Sequence, residues 1–386
     1  MKIQTILFAI LILTFNTQLF SQVQPVKSLA VEYHEFEWYE EQYNLWEKEL
    51  KRNKKDGEAW INFYAAARMA RFSAPDAEVR NEWYTKEYEV VKNMEKSIKG
   101  TFAYYRILSW YSQIWNAKDK EQEDEFISYV LKAHELNPLN SDIYPNLMNV
   151  YEIYRENPEK LEETAQLWKA SGHHTPNLMA LSYNALINTS KNAILITGGD
   201  NDTYPLWIAQ KADDFRRDVN VWNIHLMSIK EYRNKKFKAL DIPILEEENL
   251  TNEAILNHII EHKGKKGLYF YSKGIIAEDS TIFDRLYNVG VIYKYAEESF
   301  NNNALVVDFF ECKFLLDHLK YDFYESAYPE ADKNRNRHYL SGLIILYQHY
   351  ALIEDLVKAE KTRELIIEIS QDLPYFDDIK QEIGLD

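Results

Sequence analysis

The apolar residues of this chain keep a helical period over nearly half of its length. Between residues 27 and 190 they recur three and four positions apart, which places them on one face of successive helices. Polar stretches at 51–58, 116–124 and 135–142 interrupt this period. The 386 residues include 28 Tyr, 18 Phe and 9 Trp but only 11 Gly and 10 Pro, which is typical of long helices packed through aromatic side chains. We therefore expect pairs of helices stacked side by side.

One pattern of four packing positions recurs inside this helical segment. Two copies, beginning at Tyr144 and Leu178, are 34 residues apart, and the two earlier copies are more widely spaced. The four copies are Trp60, Phe63, Tyr64 and Ala67; Tyr104, Ile107, Leu108 and Tyr111; Tyr144, Leu147, Met148 and Tyr151; and Leu178, Leu181, Ser182 and Ala185. The pattern resembles the tetratricopeptide repeat (TPR), a helix–turn–helix unit of 34 residues that stacks into an array with a concave face.

This resemblance implies a TPR-like repeat domain over residues 27–190 that binds a protein partner in its groove. Aromatic side chains on these helices either pack between helices or line that groove. The aromatic residues considered for the groove are Trp38, Tyr39, Trp46, Tyr104, Tyr105, Trp110, Tyr111 and Trp115, of which we select Tyr104, Tyr105, Trp110 and Tyr111.

The period changes after residue 190. Four short apolar runs, at 193–197, 219–224, 267–272 and 290–295, read as strands and are separated by segments with helical period or turn residues. Strands that alternate with helices predict crossover connections and a buried parallel sheet. We therefore expect a small parallel α/β domain at 191–297. A C-terminal helical pair should follow at 301–386, which makes the whole protein mixed but mainly α.

The stretch "GGDNDTYP" at 198–205 has two explanations. In the structural one, the glycines turn the chain with positive φ, and Asp202 or Thr203 caps a helix that begins near Pro205. In the functional one, the loop follows a parallel strand, where α/β sheets bind ligands. Asp200, Asn201, Asp202 and Thr203 would then hold a hydroxylated ligand such as a sugar, or a hard metal ion. No nucleotide-binding motif accompanies the loop, and no catalytic residue or cofactor is predicted.

Three further features have ordinary structural explanations. The stretch "HIIEH" (258–262) matches a zinc-protease signature but lies in an amphipathic helix pattern without an evident third ligand. His173 and His174 lie between helices and are expected in a solvated turn. Cys312 is the single cysteine, so no internal disulfide forms, and its apolar neighbours predict a buried side chain.

The N-terminus indicates export. Residues 1–21 begin with a lysine, continue through a short apolar run and end in small or polar residues, which predicts a cleaved signal peptide. A periplasmic or secreted bacterial protein without a membrane span is expected after cleavage. The formal net charge of −16 argues against nucleic acid as a partner.

Two neighbouring motifs carry a second resemblance. They are "LITGGDNDTYPLW" and "RRDVNVWNIHLMS", and the likeness continues through "LYNVGVIYKY" and "NRNRHYLSGL". Residues 190–374 thereby resemble the extramembrane part of a bacterial family of multi-pass membrane proteins related to protein O-mannosyltransferases. Those relatives place glycosyl transfer in membrane helices, so the resemblance implies a detached soluble module that handles the same partners or glycans, without transferase activity.

These observations lead to two functional hypotheses. The first is an exported, non-enzymatic protein-interaction module that binds its partner through the repeat groove. The alternative is a glycan-binding or metal-dependent ligand-binding protein, accessory to protein glycosylation, that acts through the Asp200–Thr203 loop.

Overall fold

The computed structural model describes residues 22–29, 31–112, 119–278, 280–321 and 323–385. The predicted signal peptide at 1–21 and the groove candidate Trp115 lie outside these residues. The chain divides into two compact units, Met1–Pro138 and Leu139–Asp386. Among the helices formed by the described residues, none is both long enough and apolar enough to cross a membrane.

The first unit is helical throughout its described residues. Its helices are α1 (Phe36–Arg52), α2 (Gly57–Phe72), α3 (Ala77–Ile98), α4 (Phe102–Tyr111) and α5 (Lys120–Leu136). Helix α2 packs against α1, α3 and α4, and α4 packs against α5. Side chains of Asp56, Asp76, Thr101 and Asp119 accept hydrogen bonds from the first-turn amides of α2 to α5, which explains where these helices begin.

A buried charge lies between α2 and α3. The carboxylate of Glu87 accepts hydrogen bonds from the Tyr64 hydroxyl at 2.6 Å and from Arg71 Nε at 2.6 Å. Arg68 Nη1 lies 3.4 Å from the same carboxylate. A buried carboxylate needs such partners because burial removes its hydration, so this group specifies how the two helices pair.

The second unit combines helices with one sheet. It begins with α6 (Tyr144–Asn149), which continues as a π-helical turn (Val150–Tyr154). In chain order there follow α7 (Pro158–Ala170), α8 (Pro176–Ile187), β1 (Ile194–Thr197), α9 (Tyr204–Ala212), β2 (Asn220–Asn223), α10 (Lys230–Ala239), α11 (Asn252–His262), β3 (Leu268–Phe270), β4 (Leu286–Asn288), β5 (Tyr293–Tyr295), α12 (Asn303–Cys312), α13 (Asp317–Lys320), α14 (Pro329–Asn336), α15 (Leu340–Leu352), α16 (Leu356–Ser370) and α17 (Phe376–Glu382). The predicted class, mainly α with a small α/β part, is confirmed.

The sheet is mixed, whereas the sequence predicted a parallel one. Its strand order is β2-β1-β3-β5-β4. Strand β1 is parallel to both β2 and β3, with Ile194 opposite Asn220 on one side and Leu268 on the other. Strand β5 is antiparallel to β3 and β4. Only four residues, 289–292, connect β4 to β5, which is too short for a parallel crossover and forces an antiparallel hairpin.

The compact units divide at 138, not near residue 190, where the apolar period changes. Helix α9, which follows β1, packs against α7 and α8. Helices α7 and α8, which precede the sheet in sequence, therefore belong to the same compact unit as the sheet. All four copies of the repeat pattern begin on helices, namely α2, α4, α6 and α8. The TPR assignment itself stays a prediction.

Helix α8 connects the sheet to the C-terminal helices through buried asparagines. Asn188 Nδ2 donates to the Val289 carbonyl at 2.7 Å, and its Oδ1 accepts from the Val291 amide at 3.0 Å. Asn184 makes the same two-way contact with Leu315. Each amide side chain thus substitutes for a backbone partner that the irregular segments at 289–291 and 315 lack.

Cys312 is exposed, so the prediction that it is buried is wrong. It ends α12, whose buried face is formed by Val306, Phe309 and Phe310. Apolar neighbours in sequence indicated burial, but the helix turns its last position to solvent.

We expect Gly342→Ala to destabilise the second unit. A Cβ at Gly342 in α15 would lie 2.4 Å from the Gly290 carbonyl oxygen and 2.7 Å from Phe310 Cε2. Overpacking of this kind costs about 1–3 kcal/mol, which exceeds the roughly 1 kcal/mol that alanine gains in a helix. Urea unfolding measures the change. The control is Gly274→Ala, whose Cβ would meet Ser272 Oγ at an ordinary 3.5 Å. Equal unfolding free energies for both variants would contradict the close packing.

Candidate functional site

The sheet has a topological switch point between β1 and β3. The chain leaves β1 to form β2 on one side and returns through α10 and α11 to form β3 on the other. Ligands of α/β sheets bind outside the carboxyl ends of the strands at such a point, because the two connections diverge there. The loops 198–203 and 271–276 follow these two strand ends. They pack closely, since a Cβ at Gly198 would lie 3.0 Å from Ile275 Cγ1.

Asp202 closes the loop after β1. Its carboxylate accepts hydrogen bonds from the amide of Gly198 at 2.8 Å and from the amide of Gly199 at 2.5 Å. Burial raises the pKa of Asp202 to about 6, although these amides oppose the shift, and the nearby Asp200 charge adds to it. The loop therefore contains a carboxyl group that titrates close to neutral pH.

The predicted capping role of this loop is wrong. Helix α9 begins at Tyr204 with Pro205 in its first turn, but no side chain caps it. The Asp202 carboxylate points back to the strand end instead of forward to the helix. Neither Gly198 nor Gly199 has a positive φ. These glycines bring their amides close to Asp202, since a Cβ at Gly199 would lie 3.3 Å from Asp202 Oδ1.

Thr203 joins the loop to two strands. Its Oγ1 lies 2.7 Å from Thr197 Oγ1 at the end of β1 and accepts from Asn223 Nδ2 at 2.9 Å at the end of β2. Thr203 is only 1% exposed. Of the four predicted ligand-binding residues, Thr203 is thus a buried structural element, Asp200 is exposed, and Asn201 and Asp202 are partly buried.

Seven residues near the carboxyl ends of β1 and β3 are linked in turn by ring contacts or by electrostatic interactions, and three of them come from the loop after β1 and the first turn of α9. We call them the switch-point ring: Asp200, Tyr204, Trp168, His174, Arg335, Tyr271 and Asp202. On one side, the Trp168 ring lies 5.3 Å from that of Tyr204 and 4.7 Å from that of His174. Burial, followed by the charge of Asp200, raises the pKa of Tyr204 well above its usual range.

The other side of the ring runs through Tyr271, which directly follows β3. Burial raises the Tyr271 pKa well above its usual range, the Asp202 charge adds to this, and Arg335 opposes it. Burial lowers the pKa of His174 to about 3, with contributions from His173 and Arg335. His174 is therefore a neutral imidazole at physiological pH, and the prediction of a solvated turn is wrong for it because α7 supplies Trp168 as a packing partner.

Arg335 is held in place by a buried carboxylate. Asp332 accepts from Arg335 Nη1 at 2.7 Å and from the hydroxyl groups of Thr175, Tyr324 and Ser326. His338 lies beside this group, with its ring 5.1 Å from that of Tyr271. Burial lowers the His338 pKa to about 4, so it too is neutral. The ring thus combines aromatic faces, carboxylates, a neutral imidazole and one fixed guanidinium.

The described residues contain no group of three or more His, Cys, Asp or Glu side chains that could hold a metal ion. The "HIIEH" histidines are close, with ring centroids 4.5 Å apart. His258 Nε2 lies 2.7 Å from the Pro243 carbonyl oxygen, which fixes its ring within the fold. The amphipathic-helix explanation of this motif agrees with these contacts.

The predicted groove residues lie together on α4. Tyr104, Tyr105, Trp110 and Tyr111 are all half-buried. The guanidinium of Arg106 lies 4.3 Å from the Trp110 ring centroid and that of Arg68 lies 5.5 Å from it. Burial raises the pKa of Tyr111, and the neighbouring Tyr84, Glu87 and Tyr88 add to this. Much of this aromatic surface is therefore occupied within the first unit.

Other aromatic candidates of the first unit also pack internally. His34 stacks on Trp38 at 3.8 Å, Tyr39 is fully buried, and Trp46 Nε1 donates to the Gln24 carbonyl at 3.0 Å. Larger exposed aromatic surfaces belong to Phe72, Tyr84 and Tyr88, which the sequence analysis did not select. These three residues recur with the same helical spacing as buried aromatic residues, so the sequence does not distinguish them from core positions.

The arginine-aspartate motif that follows the loop is structural. Arg216 donates to the carbonyl oxygens of Leu186, Thr189 and Ser190 at the C-terminal end of α8. A cation at this position satisfies carbonyls that have no helical partner. The Arg216 hydrogen bond lowers the pKa of Asp218 to about 2. The motif thus fixes how the chain passes from α8 into β1.

Residues 178–270, from α8 to the end of β3, match the family model of TMEM260-associated domain 2. This family is linked to TMEM260, a membrane protein similar to protein O-mannosyltransferases. The match includes the loop, the arginine-aspartate motif and the three parallel strands. Over residues 178–270, the family match supports the resemblance to membrane proteins related to protein O-mannosyltransferases that the sequence motifs indicated. No curated protein and no solved structure matches the chain.

The raised pKa of Asp202 predicts a specific pH dependence. In the unfolded chain its pKa returns to the usual value of about 4, so the folded state binds the proton more tightly. The stabilisation that the protonated Asp202 gives to the folded state is complete below the unfolded-state pKa of about 4, and it is lost as the pH rises through 6. Relative to Asp202→Asn, the wild type should gain about 1–3 kcal/mol of unfolding free energy between pH 7 and pH 4.

Urea unfolding at both pH values tests this difference. Asp377→Asn is the control, because it removes an exposed carboxylate on α17 that does not act on Asp202, and it should keep the wild-type pH dependence. A pH dependence that is the same in wild type and Asp202→Asn would show that Asp202 does not titrate in this range.

Proposed function

We propose that the second unit binds a neutral hydroxylated ligand, a glycan, at the switch-point ring. The observation that carries this proposal is the group of aromatic, carboxylate and imidazole side chains that interact with one another near the carboxyl ends of β1 and β3. Side chains of this kind provide both flat apolar faces and hydrogen-bond donors and acceptors, which match the faces and hydroxyl groups of a sugar.

The charges of the ring favour a neutral ligand over a phosphate. Asp200 and Asp202 would repel an anion, and Arg335 is already paired with Asp332 at 2.7 Å. The chain also lacks the glycine-rich motif that cradles phosphates at a helix N-terminus. Binding without catalysis agrees with the position of Asp202, since both of its oxygens already accept backbone hydrogen bonds.

The family match supports a place for this site in glycosylation. TMEM260 is similar to protein O-mannosyltransferases, and the matched segment includes Asp200, Asp202 and Tyr204. We propose an exported protein that recognises the glycan or glycosylated product of such a system and is accessory to it. The predicted signal peptide supports the export step.

The test is calorimetric titration of the mature protein with a panel of methyl glycosides and O-glycosylated peptides. Asp200→Ala should weaken binding about tenfold or more, because it removes a hydrogen bond to a charged group. Asp377→Ala, an exposed carboxylate on α17, is the control and should leave affinity unchanged. Divalent cations form a separate arm, in which stabilisation lost in Asp200→Ala would favour a metal site instead. Absence of binding by every glycan would rule the proposal out.

The first unit supports a second function, namely binding of a protein partner. Phe72, Tyr84 and Tyr88 are 47%, 56% and 48% exposed. The Arg71 guanidinium lies 4.3 Å from the Phe72 ring centroid and 5.8 Å from that of Tyr84. Tyr84 also interacts electrostatically with Tyr111, one of the predicted groove residues. Aromatic and arginine side chains are the ones that dominate binding energy at protein interfaces.

We expect the double variant Tyr84→Ala and Tyr88→Ala to lose a partner that wild type captures after cross-linking in native cell envelopes. Tyr33→Ala is the control, since Tyr33 is 63% exposed in the same unit and precedes α1 in the chain. Loss of the same partner in both variants, or no partner specific to wild type, would contradict a role for the surface formed by Phe72, Tyr84 and Tyr88.

A further inference from the structure

Three buried polar atoms next to the loop have no hydrogen-bond partner among the described residues. They are Trp168 Nε1, His174 Nδ1 and Asn149 Oδ1. Trp168 and Asn149 are each only 2% exposed. Buried polar groups are almost always paired, because an unpaired one loses its water without replacement. Three unpaired atoms in one neighbourhood therefore indicate that something else hydrogen-bonds to them.

The three groups are neighbours through two aromatic rings. The Trp168 ring lies 4.7 Å from that of His174 and 5.3 Å from that of Tyr204. Asn149 Nδ2 donates to the Tyr204 hydroxyl at 2.8 Å, which leaves its Oδ1 as the unpaired atom. Tyr204 directly follows the loop, and the charge of Asp200 helps to raise its pKa. Two of the unpaired groups, Trp168 and His174, therefore belong to the switch-point ring, and Asn149 contacts a third member, Tyr204.

The chemistry of the cluster is complementary to hydroxyl groups. The indole N–H only donates and the amide oxygen only accepts. A neutral imidazole nitrogen does one or the other, according to its tautomer. A hydroxyl group donates and accepts at once, so one or two hydroxyls satisfy all three atoms. An ammonium or a carboxylate would satisfy only part of the set.

We infer that Trp168, His174 and Asn149 form an inner subsite that holds one hydroxyl-bearing edge of a sugar ring and sets the selectivity of the site. This inference rests on the proposed function, because the Asp200 loop supplies the outer part of the same site. A subsite built to hydrogen-bond a ligand hydroxyl rejects an analogue that lacks it, since its buried polar atoms then remain unpaired.

The experiment pairs variants with ligands. The glycoside that binds wild type best is compared with its monodeoxy derivatives by calorimetry, using wild type, Trp168→Phe and His174→Phe. One deoxy derivative should bind wild type about tenfold more weakly than the parent. Trp168→Phe should bind the parent glycoside about tenfold more weakly than wild type does. The same variant should bind that deoxy derivative less than about twofold more weakly than wild type does. Such coupling identifies the matched hydroxyl, which a general packing defect would not do.

Trp207→Phe is the matched control, because Trp207 is equally buried beside Tyr204 but its Nε1 already donates to the Val221 carbonyl at 3.4 Å. In Trp207→Phe, the affinity ratio of the parent glycoside to each deoxy derivative should equal the ratio in wild type. If Trp168→Phe or His174→Phe fails to fold, the inner subsite is tested in wild type alone. The measurements are then the affinities of the deoxy derivatives and a crystal structure with the bound glycoside. A glycoside hydroxyl on two of the three atoms supports the inference.

The inference and the proposed function fail in different ways. If Asp200→Ala abolishes glycoside binding but the Trp168 and His174 variants bind parent and deoxy ligands alike, the inner subsite is overturned and the function stands. Ordered water on the three atoms in both free and bound crystals would also overturn it. If wild type binds no glycoside, both are overturned together.

Discussion

The second unit depends on the hydrogen bonds that the buried side chains of α8 make with segments far away in sequence. Asn184 and Asn188 each donate to one backbone carbonyl and accept from a nearby backbone amide. Such side chains are costly to bury unless both halves of the amide are paired. The C-terminal helices and the β4–β5 hairpin must therefore dock in one register. Arg216 completes this arrangement by satisfying the carbonyls where α8 ends.

This register is what brings the switch-point ring together. Trp168 and His174 precede the sheet in sequence, whereas Arg335 lies more than sixty positions after Tyr271. They meet because α9 packs on α7 and α8, while α14 packs on α8. The matched family segment, 178–270, contributes the loop and the strand ends, whereas Trp168 and Arg335 come from outside it. The switch-point ring therefore includes residues from parts of the chain that flank the matched segment.

Some of these features followed from the sequence. Alternating apolar runs identified β1, β2, β3 and β5, and Pro205 marked the first turn of α9. The antiparallel hairpin was missed because β4, Leu286–Asn288, has only two apolar residues between Arg285 and Asn288 and therefore forms no apolar run. The capping role of Asp202 was also inferred incorrectly. A capping aspartate and one that reaches back to a glycine turn have the same local sequence, and only the path of the loop distinguishes them.

Residue order alone was sufficient to establish a mainly helical protein with an acidic loop after a buried strand, because periodicity and turn chemistry act between near neighbours. It also located the resemblance later supported by the family match at 178–270. The neutral state of His174, the raised pKa of Asp202 and the unpaired indole of Trp168 could not be read in this way. Each arises from burial against residues distant in sequence, and burial is a property of the packed chain.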